Sequence, residues 1–459
     1  MSQDQVHSHA APAVGVGEHA SRILALGLPL IGSRLAQFAI GMTDTLMMGW
    51  YDVTALAALT IAATLYFISY IVGGGFANAV SPLVASALGE GDTRQARRVT
   101  RMGLWLSLLY GAAVVPLFFM GAPLLRALGQ DAEVARLGGQ YLAVAGIGLL
   151  PGLAVMTLTS FLAAIERTRI IAWINISAAL LNAGVNYILI FGKFGAPELG
   201  IVGAAIASLG VQFASLAAFY LFVTRRVADY ALFQNIHRPD WPAFFQVARL
   251  GWPIGLTFLA EVGLFAAANV MVGWIGTTAL AAHGIALQIA TATFMVHLGL
   301  SQAATVRAGR AYGAHDTSGL MTGAGVALAM SLGFAITTMG LFFLIPDLLV
   351  GLFVDPTDPL RPEIIAVGAT LLAFAGLFQV MDSSQVMALG FLRGVQDTKV
   401  PMWMALVSYW AIGFPASYGL GFGLGYGAPG IWLGLVIGLA AAAGFLNWRF
   451  WVRVPRQLA

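Results

Sequence analysis

Along the chain, long apolar runs alternate with short polar punctuation, and the runs are too long for strands. A helix that spans a bilayer needs about 20 mostly apolar residues, and runs of that length recur almost from end to end. The pattern predicts twelve helices, at 22–50, 54–87, 102–122, 137–163, 170–191, 200–223, 250–273, 279–306, 320–346, 363–390, 401–420 and 430–448. Before them, residues 1–21 are polar and small, which predicts a flexible tail; without a basic start and an apolar core they do not form a secretory signal. His7, His9 and His19 in this tail carry no assignment.

Composition agrees with a polytopic membrane protein. Of 459 residues, 59% are hydrophobic and 9% charged, against roughly 25% charged in soluble domains. The absence of cysteine excludes disulfides, thiol catalysis and cysteine-ligated metal centres. A pI of about 9.2 suggests nucleic acid only until the basic residues are located. With the N-terminus inside, 18 of the 23 Lys and Arg fall on that side and four on the other, with Arg34 within the first span. This bias predicts cytoplasmic N- and C-termini and a multi-pass protein of the inner (cytoplasmic) membrane, with the lipid bilayer rather than nucleic acid as its partner.

The chain also matches itself. Shifted by 224 residues, the 33-residue stretch from Leu26 lies on that from Leu250 with 13 identities and no gap, and "GEGDT" at Gly89 lies on "GAHDT" at Gly313. With a small insertion, "ERTR" at Glu166 lies on "QDTK" at Gln396. Two parallel repeats of six helices follow. The expected divisions are the tail at 1–21, an N-lobe at 22–224 (helices 1–6), a linker at 225–249, a C-lobe at 250–448 (helices 7–12) and a C-terminal tail at 449–459. Parallel halves are an arrangement of secondary transporters, with the solute site between them. The expected fold class is therefore an all-α polytopic membrane protein whose two six-helix lobes surround a central cavity.

Acids within the spans are few: Asp44 in helix 1, Glu261 in helix 7 and Asp382 in helix 10. Each costs about 2.5–3.5 kcal/mol if ionised at the centre of a helix, so each is expected to face a polar cavity or to be protonated. Acids in such surroundings are suited to taking up and releasing a proton. Asn182 and Asn186, four apart, share a face of helix 5, with Asn175 further back on the same helix. Gln37 occupies the repeat position of Glu261, and Ala268 that of Asp44, so the halves diverge where charge matters. Arg34 either snorkels to the interface or pairs with an acid. His283 and His297 read as hydrogen-bonded packing residues. The glycine-rich "GFGLGYGAPG" at Gly421 reads as a flexible turn between helices 11 and 12, since no strand precedes it.

No GxxxxGK[ST], HExxH or GxSxG motif is present, so transport is expected to be driven by a gradient or by a separate ATPase subunit. No span carries a recognisable nucleophile and base, so no enzyme activity and no cofactor are expected.

Four stretches together, "MTDTLMMGW", "LNAGVNYILIFGKFGAPELGIVGAAIAS", "AEVGLF" and "QVMDSSQVMALGFLRGVQDTKVP", resemble the multidrug and toxic compound extrusion (MATE) family, in its NorM-like branch. The resemblance covers about residues 22–450. It implies two lobes around a V-shaped cavity and export of small cationic amphiphilic drugs or dyes in exchange for Na+ or H+. It also implies a cation- or proton-coupling cluster at Asp44, Asn182 and Asn186, and an acidic pair, Glu261 and Asp382, that would take Na+ or a proton. Arg34 and His297 depart from the family pattern. Gln37, Phe294, Tyr409 and Trp410 are the candidate substrate contacts, the aromatics through apolar and cation–π attraction, and the transporter is expected to work as a monomer. The rival is a lipid-linked oligosaccharide flippase on a related scaffold, which would line its cavity with Arg and Lys.

Overall fold

The computed structural model describes residues 15–458. Most of the expected N-terminal tail, including His7 and His9, lies outside them. Among the described residues there is no strand. Twelve long helices are present: α1 (Val16–Tyr51), α2 (Val53–Gly89), α3 (Thr93–Phe119), α4 (Ala132–Ala164), α5 (Thr168–Phe191), α6 (Gly200–Arg226), α7 (Trp241–Ile275), α8 (Thr277–Gly313), α9 (Thr317–Leu344), α10 (Arg361–Gly394), α11 (399–423) and α12 (Gly427–Trp448). All but α11 are long and apolar enough, by length and composition, to cross a membrane.

Several helices run beyond their apolar windows. α1 starts at 16, inside the expected tail; α3 starts at 93 and α7 at 241, which shortens the linker to 227–240. α12 continues through Arg449–Arg453 and Val454–Leu458, where a tail was expected. The apolar window marks the stretch that fits hydrocarbon, whereas a helix persists wherever its first-turn N–H groups find acceptors. Aspartates supply them at several starts: Asp52 to Ala55 N at 2.7 Å, Asp92 to Gln95 N at 2.8 Å, Asp240 to Ala243 N at 3.3 Å and Asp316 to Gly319 N at 2.8 Å. Asp92 and Asp316 are repeat mates, so the duplication preserves a cap.

α11 departs most from regularity. Two π-helical segments, Val407–Gly413 and Gly419–Gly423, flank a short α-helical piece at Phe414–Tyr418. It lies so close to α12 that a Cβ on Gly434 would strike the backbone of Ser417. The glycine-rich stretch expected to be a loop is mostly helical, and the turn occupies only 424–426.

The repeat survives in three dimensions. α1 packs on α8 and α9 as α7 packs on α2 and α3. Where α2 and α8 cross, Gly89 abuts Arg310 O and Gly313 abuts Ser86 O, and each residue of the first pair is the repeat mate of one in the second. All these crossings lie toward the face that carries residue 15 and the turns at 90–92, 165–167, 314–316 and 395–398, here named the basic face. On that side one apolar core joins Leu83, Val84 and Val99 of the first half with Val247, Ile254 and Val306 of the second. Nearer the opposite face the N-lobe core, with Met48, Ala58, Leu125 and Ile201, contains no C-lobe residue. The lobes share a core on the basic side and have separate cores toward the other.

Candidate functional site

In the N-lobe, α1 presents Asp44 to α5 and α6. Asn186 Nδ2 donates to Asp44 Oδ1, and also to Asn182 Oδ1 at 3.1 Å. Ser208 Oγ donates to Asp44 Oδ2 at 3.3 Å. The fold therefore gathers Asp44, Asn182 and Asn186 as the sequence suggested and adds Ser208, one small hydroxyl among many and without a signal of its own. Asn175 stays outside: its Nδ2 donates to Ser33 Oγ at 2.6 Å. Asn182 Nδ2 and Asn186 Oδ1 are buried without a partner among the described residues.

In the C-lobe, Glu261 on α7 and Asp382 on α10 are both buried and within electrostatic reach of each other. Gln385, one turn beyond Asp382, donates from Nε2 to Glu261 Oε1 at 3.3 Å, and the Tyr409 hydroxyl donates to Gln385 Oε1. Asp382 Oδ1 is buried with no partner among the described residues. Gln379, one turn before Asp382, donates to Ala290 O at 2.7 Å and leaves its own Oε1 unpartnered. A second feature escaped the sequence reading because Arg393 counts there as a loop cation. It stacks over Phe258 at 4.7 Å, and its charge reaches Glu261.

The candidate substrate contacts divide. Trp410 is 41% exposed, and its Nε1 donates to Ala260 O at 3.2 Å, beside Glu261. Phe294 is half-buried on α8, one turn before His297. Tyr409, by contrast, is 0% exposed and is committed to the carboxylate network, so it supports the acidic site and offers no face to a ligand. Gln37 is occupied by Arg34, whose Nη1 donates to Gln37 Oε1 at 3.2 Å and whose Nη2 donates to Gln302 Oε1 on α8 at 3.0 Å. Both expectations for Arg34 are thereby corrected: its partners are two amides, one of them in the other half.

His297 Nδ1 lies 2.8 Å from Ser331 Oγ, and His283 Nδ1 accepts from Trp432 Nε1 at 3.0 Å. Both are buried packing residues with one hydrogen bond each. Among the described residues no group of three or more His, Cys, Asp or Glu is placed to hold a metal ion. No hydrogen bond among the described residues links Asp44 to the C-lobe acids, so the two sites are separate.

A family model described as MatE matches residues 29–188 and 253–418. Its two matches begin 224 residues apart, the same shift as the internal repeat. A "Probable multidrug resistance protein NorM" of Rhizobium meliloti (strain 1021) is 46% identical over 443 residues, 96% of this chain and 95% of the relative. A "Multidrug resistance protein NorM" of Burkholderia vietnamiensis is 35% identical and covers 100% of this chain and 99% of its own. A crystal structure of a mutant of the Vibrio cholerae MATE transporter VcmN is similar in fold, with a TM-score of 0.87 at 18% identity over 96% of this chain and 98% of that one.

Proposed function

We propose, from the premise that this chain belongs to the MatE family, that it is a secondary active multidrug efflux transporter which exports cationic amphiphilic compounds by antiport with Na+ or H+. The relatives' names support the multidrug reading, and the acids support the coupling. The observation that carries it is Asp382 Oδ1, buried without a donor beside a second carboxylate. A buried carboxylate left so is costly, and a proton or a small cation is the species that removes the cost. The coupling ion is cargo here, held at Glu261 and Asp382 in one arrangement of the lobes and released in another. Asp44 with Asn182, Asn186 and Ser208 forms a second coupling cluster. Trp410 and Phe294 supply apolar and cation–π contacts to a drug in the cavity, and the acids offer it charge.

With the basic face taken as cytoplasmic in the inner membrane, the arrangement described above is outward-facing. An ion shifts the lobe equilibrium only by its difference in affinity between the two states, so the acids must be satisfied differently in each. The protein acts as a monomer. A flippase would need an array of cavity cations, and Arg34, tied by two amides, does not make one.

The test is reconstitution into liposomes with an imposed pH or Na+ gradient and a fluorescent organic cation as cargo. One gradient should drive transport, and Glu261→Gln and Asp382→Asn should each reduce it to the level of empty liposomes. Normal transport by both variants overturns the coupling role.

A further inference from the structure

Outside the carboxylate sites, a cavity of about 230 Å³ opens on the basic face between the start of α1, the end of α8 and the start of α9. Pockets for drug-sized ligands occupy roughly 300–1,000 Å³, so this one suits a smaller group. Its polar lining is His19, Arg22, Arg307, Arg310 and Asp316. Arg22 is paired with Glu18, Arg310 with Glu166 across the lobes, and Asp316 caps α9. Arg307 has neither ion pair nor hydrogen bond among the described residues, and its Nε is buried. His19 is 3% exposed, and its Nδ1 is likewise unpartnered. A buried histidine and a half-buried arginine, each with a buried nitrogen that has no partner among the described residues, thus line one cavity, beside the start of a 28-residue helix.

We infer that this cavity binds a phosphate group. Guanidinium forks match phosphate oxygens, and a basic pocket between membrane helices is where anionic headgroups settle; the start of α9 is already capped by Asp316, so the attraction comes from the side chains. The duplication shows that the site is particular to one place. The repeat mates of His19, Arg22, Arg307 and Arg310 are Ala243, Gln246, Leu83 and Ser86, so none of these four residues keeps its basic type at the equivalent position, and the nearby Arg98 is taken up by Asp240. A phosphate here ties α1 of one half to α8 and α9 of the other, where the lobes join, and so favours the arrangement closed on the basic face. The inference does not rest on the transport reading.

The test is native mass spectrometry and thermal unfolding of the full chain with phosphatidylglycerol, phosphatidylcholine or inorganic phosphate, compared with Arg307→Gln. Phosphatidylglycerol retained in preference to phosphatidylcholine, and held roughly tenfold more weakly by Arg307→Gln, supports the site with a lipid as source. The same weakening for inorganic phosphate alone supports it with the free anion as source. Equal binding of both lipids with no phosphate effect, or an unchanged anion preference in Arg307→Gln, overturns it. Should Arg307→Gln fail to fold, Arg22→Gln, at the half-exposed rim, takes the same comparison.

Discussion

The two lobes descend from one repeat but have solved the problem of a membrane carboxylate differently. In the N-lobe, a single acid, Asp44, has a donor at each oxygen, Asn186 at one and Ser208 at the other. In the C-lobe, one amide donor serves Glu261 alone, and Asp382 Oδ1 is left without any. In the first site both carboxylate oxygens have a donor, although two amide atoms beside them have no partner, whereas in the second a carboxylate oxygen itself is short of positive charge or hydrogen. The cations have diverged in parallel. Arg34 holds Gln37, the mate of Glu261, while its own mate, Phe258, is the ring on which Arg393 rests. Duplication kept a cation close to the same helix and moved the acid.

The largest contrast should follow removal of the amide that bridges the C-lobe site. Gln385→Leu strands the Tyr409 hydroxyl and one Glu261 oxygen in a buried setting, at about 1–3 kcal/mol for each group. Ser208→Ala removes a single bond at a half-buried acid that keeps its Asn186 donor, and should cost about 0.5–1.5 kcal/mol. Unfolding of both variants in the same detergent ranks them. If Ser208→Ala is the more damaging, the N-lobe site is not the better balanced of the two.

Much of this comparison could be read from the sequence, because charges in apolar runs are rare and a gapless repeat aligns them. Twelve spans, two halves, three acids and the paired asparagines of α5 all followed from periodicity and spacing. What escaped depends on tertiary contact. Ser208 and Gln385 are ordinary residues until a carboxylate on another helix faces them. Gln302, the second partner of Arg34, lies 268 residues away along the chain. Tyr409 looked like a ligand platform because its type suits that role, but burial against Gln385 gave it another. Helix ends shifted for a different reason: hydropathy registers the bilayer, and an aspartate cap lets the helix pass beyond it.

A gentler change sharpens the comparison from the other side. Gln37→Glu places an acid at the repeat position of Glu261, but beside Arg34 instead of a second carboxylate. It should form an ion pair, shift stability by about 1 kcal/mol or less, and leave transport intact, whereas Glu261→Gln should abolish it. Loss of transport in Gln37→Glu would mean that the position, and not the lobe around it, decides what an acid does.

The smallest effect concerns the starts of the two equivalent helices on the basic face. α1 begins after Gly15, which provides no side-chain cap, while α7 begins after Asp240, which caps Ala243 and is gripped by Arg98. The Arg98 hydrogen bond holds the Asp240 carboxyl below its ordinary value of 3.8. A group depressed in the folded state contributes stability that is fully present above the unfolded value and is lost as pH falls through the folded one. From neutral pH down to about 4, protection of the amides at the start of α7, taken against their intrinsic exchange rate at each pH, should therefore hold. Below that it should fall, while the start of α1 lacks this step. Asp240→Asn should abolish the acid-dependent step and leave the first turn of α7 less protected near neutral pH, the variant and the wild type converging in acid, because the ion pair is gone and only a neutral cap remains. Matching pH profiles at the two helix starts would show that the cap and its arginine add nothing that the uncapped repeat mate lacks.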